Sequence, residues 1–89
     1  MKLIFSPDGW EDYLFWQGHD AAVLARVNEL IKNTLRTPFT GIGKPEPLKA
    51  RFKGFWSRRI TGEHRLVYRV SGTGEAQAIE IAACRFHYE

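Results

Sequence analysis

One cysteine, one methionine and no long apolar run characterise this 89-residue chain. A lone thiol, Cys84, cannot close an intramolecular disulfide, so cross-links are excluded as a source of stability and a reducing cytoplasm is the expected setting. The uninterrupted apolar stretches are only a few residues long, which excludes a membrane-spanning helix. Met1-Lys2 leads straight into Leu3-Ile4-Phe5 and then Ser6-Pro7-Asp8, too short an apolar core for a secretory signal. The three histidines, His19, His64 and His87, stand with Cys84 in no CxxC or HExxH spacing, so no metal is expected. No dinucleotide or Walker A sequence occurs; Gly41-Ile42-Gly43-Lys44-Pro45 lacks that motif's spacing and its Ser/Thr, so no other cofactor is expected either. The length leaves room for one domain, residues 1–89, and none for a separate regulatory unit.

What is present is a core and an uneven charge. Hydrophobic residues make up 44% and aromatics 13%, enough to fold and too much for disorder. The formal net charge of +3 conceals three blocks. Residues 1–31 carry Lys2 and Arg26 against five acids, for −3; residues 32–69 carry ten Lys/Arg against Glu46 and Glu63, for +8; residues 70–89 carry Arg85 against three Glu, for −2. A central basic block suits a polyanion such as RNA. It suits a solvated sheet surface equally well.

The periodicity predicts α+β architecture. Leu3–Phe5 reads as a strand, and Ser6 as the cap of a helix with Pro7 in its first turn. That helix carries Trp10, Tyr13, Leu14 and Gln17 at helical spacing and is expected to break at Gly18-His19. Asp20 caps a second helix whose stripe is Val23, Leu24, Val27, Leu30, Ile31 and Leu35, stopped by Pro38. Residues 37–47 hold three of the four prolines and read as a shaped loop. Residues 48–52 read as a turn or short strand, and 55–61, 64–70 and 78–86 as strands, with a turn at Ser71–Gly74. The order is β-α-α-β-β-β, with two N-terminal helices packed on one face of a mostly antiparallel sheet. Cys84 is expected to be a buried structural thiol rather than a nucleophile.

One set of polar residues makes chemical sense on a basic surface. Cleaving RNA through its own 2′-OH needs a base for that proton, an acid for the leaving 5′-oxygen, and cations around the phosphoryl oxygens. Glu46 is the only acid between residues 30 and 62, set between Pro45 and Pro47, and basic neighbours favour its ionised form. His87 offers an imidazole as the acid. Arg59 and Arg65 can fork onto phosphate oxygens. Each residue also has an ordinary reading: Glu46 as a solvated loop carboxylate, His87 as an exposed bystander, Arg58-Arg59 as a solvated sheet face, Phe86 and Tyr88 as hydrophobic plugs. The residues by themselves point to an RNA binder or a metal-free nuclease.

Longer motifs narrow this. Thr37-Pro38-Phe39, Gly43-Lys44-Pro45-Glu46-Pro47-Leu48-Lys49, Gly54-Phe55-Trp56-Ser57-Arg58-Arg59-Ile60, His64-Arg65-Leu66-Val67-Tyr68 and Ala82-Ala83-Cys84-Arg85 with His87-Tyr88 resemble the YoeB toxins of the RelE-like superfamily. The likeness runs over nearly the whole chain. It implies a RelE-like, microbial-ribonuclease-like fold and an mRNA endoribonuclease that cuts A-site codons on the 70S ribosome, leaving a 2′,3′-cyclic phosphate. By the same likeness Glu46 corresponds to the general base, His87 to the general acid and Arg65 to the arginine stabilising the phosphoryl transition state. Lys49 and Arg59 match basic residues at the scissile phosphate, and Tyr88 the tyrosine that orients the RNA. A YefM-type antitoxin, a homodimer and a bacterial cytoplasm are implied as well. The stretch 71–77 is longer than usual for the family, which should alter only a hairpin tip, and Glu89 follows the tyrosine that commonly ends the chain. The alternative is a non-catalytic RNA- or antitoxin-binding module of the same fold.

Two further expectations are geometric. A two-residue loop at Gly62-Glu63 would put Arg59 and Arg65 on opposite sheet faces, so both can serve one phosphate only across an odd loop, with Arg59 opposite Arg65. The first helix carries Trp10, Tyr13, Phe15 and Trp16, more aromatic surface than one buried face needs, which points to self-association.

Overall fold

Ser6 and Asp20 set the helix boundaries. The structure, a computed structural model, describes residues 1–86. Strand β1 (Lys2–Phe5) ends at Ser6, whose Oγ accepts from the Gly9 amide and caps α1 (Pro7–His19). Asp20 Oδ1 accepts from the amides of Ala22 and Val23 and caps α2 (Ala21–Arg36). The first helix therefore runs through Gly18 to His19, past its expected break. The extended backbone of Asp20 ends it instead, with the Asp20 amide still bonded to the Trp16 carbonyl. No described helix is long and apolar enough to cross a membrane.

Four further strands follow: β2 (Glu46–Pro47), β3 (Trp56–Arg59), β4 (Arg65–Ser71) and β5 (Ala78–Ala83). The sheet order is β1-β5-β4-β3-β2, antiparallel except for the β1–β5 pair. Strand β2 lies inside the stretch expected to be only a loop. Two prolines around one residue make a poor strand signal, but an edge strand tolerates them because its outward amides have no partner to lose. Residues 48–52 form a turn rather than a strand, and β5 ends at Ala83 rather than reaching Phe86. The lengthened stretch 71–77 closes in a single helical turn over Gly74–Ala76.

Both helices cover one sheet face. Trp16, Val27, Leu30 and Ile31 pack there against Ile60, Leu66, Tyr68, Ile79, Ile81 and Cys84. Helix α1 lies so close to β5 that a Cβ at Gly9 would collide with the Ile81 carbonyl. Pairing along β4–β5 slips by one residue: Tyr68 stands opposite Ile81 but Val67 opposite Ala83, so Ala82 is a bulge. The hydroxyl of Ser6 donates to the Ala82 carbonyl and holds it. Beyond the bulge, Cys84 turns back into the core.

Candidate active site

Register decides which charged side chains share a face. Arg59 stands directly opposite Arg65, and Glu46 opposite Ser57, which in turn faces Val67. Opposed residues lie on the same side of a sheet and alternate residues return to it. Glu46, Ser57, Arg59, Arg65 and Val67 thus share the face away from the helices. Trp56, Arg58, Leu66 and Tyr68 point the other way. The three-residue turn Thr61-Gly62-Glu63 is the odd loop expected from the arginines, closed by the amides of Ile60 and Thr61 on the His64 carbonyl. From Glu46 to Arg59 is one diagonal step, ~7–8 Å between backbones and within reach of two long side chains converging on a ligand.

Glu46, Lys49 and Arg59 are exposed and make no ion pair or side-chain hydrogen bond with other described residues. Arg65 is half-buried, and its Nη1 donates to the carbonyls of Thr61, Gly62 and His64 at 2.8, 3.2 and 3.1 Å. Those bonds fix the guanidinium along the hairpin turn. His87 and Tyr88 lie outside the described residues. Arg69 shares the open face, but Glu80 pairs with it at 2.8 Å.

Arg58 is the residue the sequence misplaces. Far from being part of a solvated face, it is fully buried and uses its donors on five acceptors. Nε reaches the Tyr68 hydroxyl at 3.2 Å, Nη1 the Asn33 Oδ1 at 2.6 Å and the Ile42 carbonyl at 3.1 Å, and Nη2 the carbonyls of Thr37 and Thr40 at 2.6 and 3.0 Å. Thr37 caps the C-terminus of α2, where the helix dipole favours a cation, so no carboxylate is required. Tyr68 continues the latch by donating to the Pro38 carbonyl at 2.6 Å. Burial raises the Tyr68 phenol above its ordinary value, and Arg58 partly offsets that. Gly43, with φ of +80°, presses against Leu30 where a Cβ would not fit, and its carbonyl accepts from the Arg59 amide at 2.7 Å. The loop that delivers Glu46 is therefore locked to the sheet from below.

Cys84 has the structural role expected of it. It is buried, and burial followed by the nearby Asp12 carboxylate pushes its thiol up to about 12, so it stays protonated. Its amide donates to Asp12 and its carbonyl accepts from Trp16 Nε1 at 2.7 Å.

Known proteins resemble the chain in both sequence and fold. The family profile described as the YoeB-like toxin of bacterial type II toxin–antitoxin systems matches residues 5–88. The chain is 59% identical to Toxin YoeB of Escherichia coli K12, over 99% of this chain and all of that one. It superposes with a TM-score of 0.94 on a YoeB/ParE toxin from Agrobacterium tumefaciens, 58% identical and matched over 99% of this chain and 100% of the other. YoeB of Staphylococcus aureus, solved in a heterotetrameric YoeB–YefM complex, is 44% identical with a TM-score of 0.86, over 99% of this chain and 98% of that one. The same toxin is also known as a dimer. The chain belongs to the YoeB-like toxins of bacterial type II toxin–antitoxin systems.

Proposed function

We propose that this toxin is a ribosome-dependent endoribonuclease that cuts mRNA codons in the A site and so arrests translation. In this scheme Glu46 takes the proton from the 2′-OH, the 2′-oxygen attacks the phosphorus, and His87 protonates the departing 5′-oxygen. A 2′,3′-cyclic phosphate and a 5′-OH remain. Arg65 neutralises charge building on the phosphoryl oxygens, with Lys49 and Arg59 beside it, and Tyr88 orients the RNA. The observation that carries the reading is the shared sheet face of Glu46, Arg59 and Arg65, two of which meet only because the turn is odd.

The test is induction of the wild-type chain and of Glu46→Ala in a bacterial translation system, with cleavage mapped by primer extension. Wild type should cut within A-site codons. Glu46→Ala should cut on the order of 10²–10⁴ slower, as befits a lost general base. Arrest without A-site cuts, or undiminished cutting by Glu46→Ala, would leave a non-catalytic RNA- or antitoxin-binding module.

A YefM-type antitoxin is the partner we infer, from the Staphylococcus aureus complex, together with a homodimer and residence in the bacterial cytoplasm. Trp16 is buried and Tyr13 and Phe15 are half-buried, so the surplus apolar surface of α1 reduces to Trp10 and Leu14, 46% and 41% exposed. Those two residues are where a second copy gains most by docking. Sedimentation of the full chain at micromolar concentration should show a dimer, and a purely monomeric profile would remove that part of the reading.

A further inference from the structure

His64 is the one histidine among the described residues whose ring holds main chain near the proposed site. Its Nδ1 accepts from the Phe86 amide at 2.7 Å, so Nδ1 is the unprotonated nitrogen. The hydrogen then sits on Nε2, which faces Glu63 at 3.9 Å. The ring is set edge-on against Trp16, with centroids 4.8 Å apart, and the Trp16 indole in turn donates to the Cys84 carbonyl. On the other side of the same residue, the Arg65 amide donates to the Phe86 carbonyl at 2.8 Å. Residues 64 and 65 thus grip both polar groups of the Phe86 backbone.

That grip has something to hold. Phe86 has a φ of +62°, a left-handed conformation that a bulky residue keeps only when its surroundings impose it. The residue is 58% exposed, so side-chain burial is not what imposes it. The two hydrogen bonds restrain it, together with ring contacts to His64 at 5.6 Å and to the Arg85 guanidinium at 4.7 Å. Loss of the His64 acceptor removes one of these restraints. The next residue is His87.

We propose that His64 is a positioning residue: by fixing the backbone at Phe86 it serves the proton transfer assigned to His87, the next residue in the sequence. The proposal rests on the reading of His87 as general acid. It also gives the turn a double task, since Thr61, Gly62 and His64 hold the Arg65 guanidinium while His64 and Arg65 hold the chain leading to the acid. Acid and transition-state cation are referenced to the same few residues.

Two substitutions separate the acceptor from the ring. His64→Phe keeps an aromatic ring against Trp16 and removes the acceptor; His64→Asn gives up the ring and offers a carbonyl oxygen near the place of Nδ1. Single-turnover cleavage of ribosome-bound mRNA by the full chain should slow on the order of 10- to 100-fold in His64→Phe, the cost of a misplaced catalytic group. Half-saturation with ribosomes should change by less than about twofold, and His64→Asn should recover most of the rate. Hydrogen exchange at the Phe86 amide of the free chain should speed up by about tenfold or more in His64→Phe and be restored in His64→Asn. Unchanged exchange in His64→Phe, or equal losses in both variants, would overturn the proposal. So would faster exchange with a normal rate, which would leave the ribonuclease intact. A wild-type chain that does not cut would instead remove the ribonuclease reading, and exchange at Phe86 would still show whether His64 restrains the backbone.

Discussion

Arg58 and Arg59 are neighbours in sequence and live in different physical worlds. Arg58 points to the helix-covered face, has no solvent exposure and satisfies five acceptors. Arg59 points to the open face, exposed and bonded by its side chain to no other described residue. Formal charge counts them alike, and they do opposite things. The buried cation holds a loop; the exposed one is available to a phosphate. The central basic block is accordingly less basic toward a ligand than its +8 suggests, because Arg58 is enclosed and Arg69 is paired with Glu80.

The sharpest way to break the contrast is Arg58→Met. It keeps an apolar stem and strips partners from Asn33, the Tyr68 hydroxyl and the carbonyls of Thr37, Thr40 and Ile42. Hydrogen bonds to a charged donor are individually worth about 1.5–3 kcal/mol, and water can replace only some of these, so a loss of about 3 kcal/mol or more in urea unfolding is expected. A loss below about 1 kcal/mol would mean that the buried network is not what secures the loop.

The matching substitution on the open face should behave in the opposite way. Arg59→Ala removes no internal side-chain partner, so stability should stay within about 0.5 kcal/mol of wild type. RNA binding should instead weaken, with the slope of log affinity against log salt shallower by about one. Equal stability losses in the two variants would erase the distinction between the faces. An unchanged salt slope would take Arg59 away from the phosphate.

The same contrast explains what the sequence could and could not reveal. Helix α2 was legible because its stripe repeats with a helical period, and the Arg59–Arg65 pairing because strand parity leaves few choices. Arg58 was not. Arginine is rarely fully buried, and the partners that permit it here are backbone carbonyls, which leave no trace in side-chain identity. Strand β2 was hidden by Pro45 and Pro47, and the bulge at Ala82 by small residues with no periodic signature. The His64–Phe86 bond joins positions 22 apart and lies beyond both the bulge and the end of β5. Of the candidate site, Arg59 and Arg65 were foreseeable as a pair on one face, whereas Glu46 joins that face through the hidden strand β2, and the latch beneath was visible only in three dimensions.

Asp12 stands between the two regimes and gives the smallest effect. It lies on α1, half-buried, and accepts from the Cys84 amide at 3.0 Å. Burial raises its pKa above the ordinary 3.8, while the Cys84 bond and the charge of Arg85 partly offset that. An acid raised on folding contributes stability that is fully present below 3.8 and is lost as pH rises through the folded value. Asp12→Asn keeps an oxygen for the Cys84 amide and removes the ionised form. Its stability relative to wild type should therefore improve as pH rises from about 3.8 and then level off, by less than about 1 kcal/mol because the group is partly hydrated. Urea titrations from pH 3 to pH 7 would read this directly. If the variant lost ground as pH rose, attraction to Arg85 would outweigh burial, and Asp12 would belong with the charged groups of the open face rather than with Arg58.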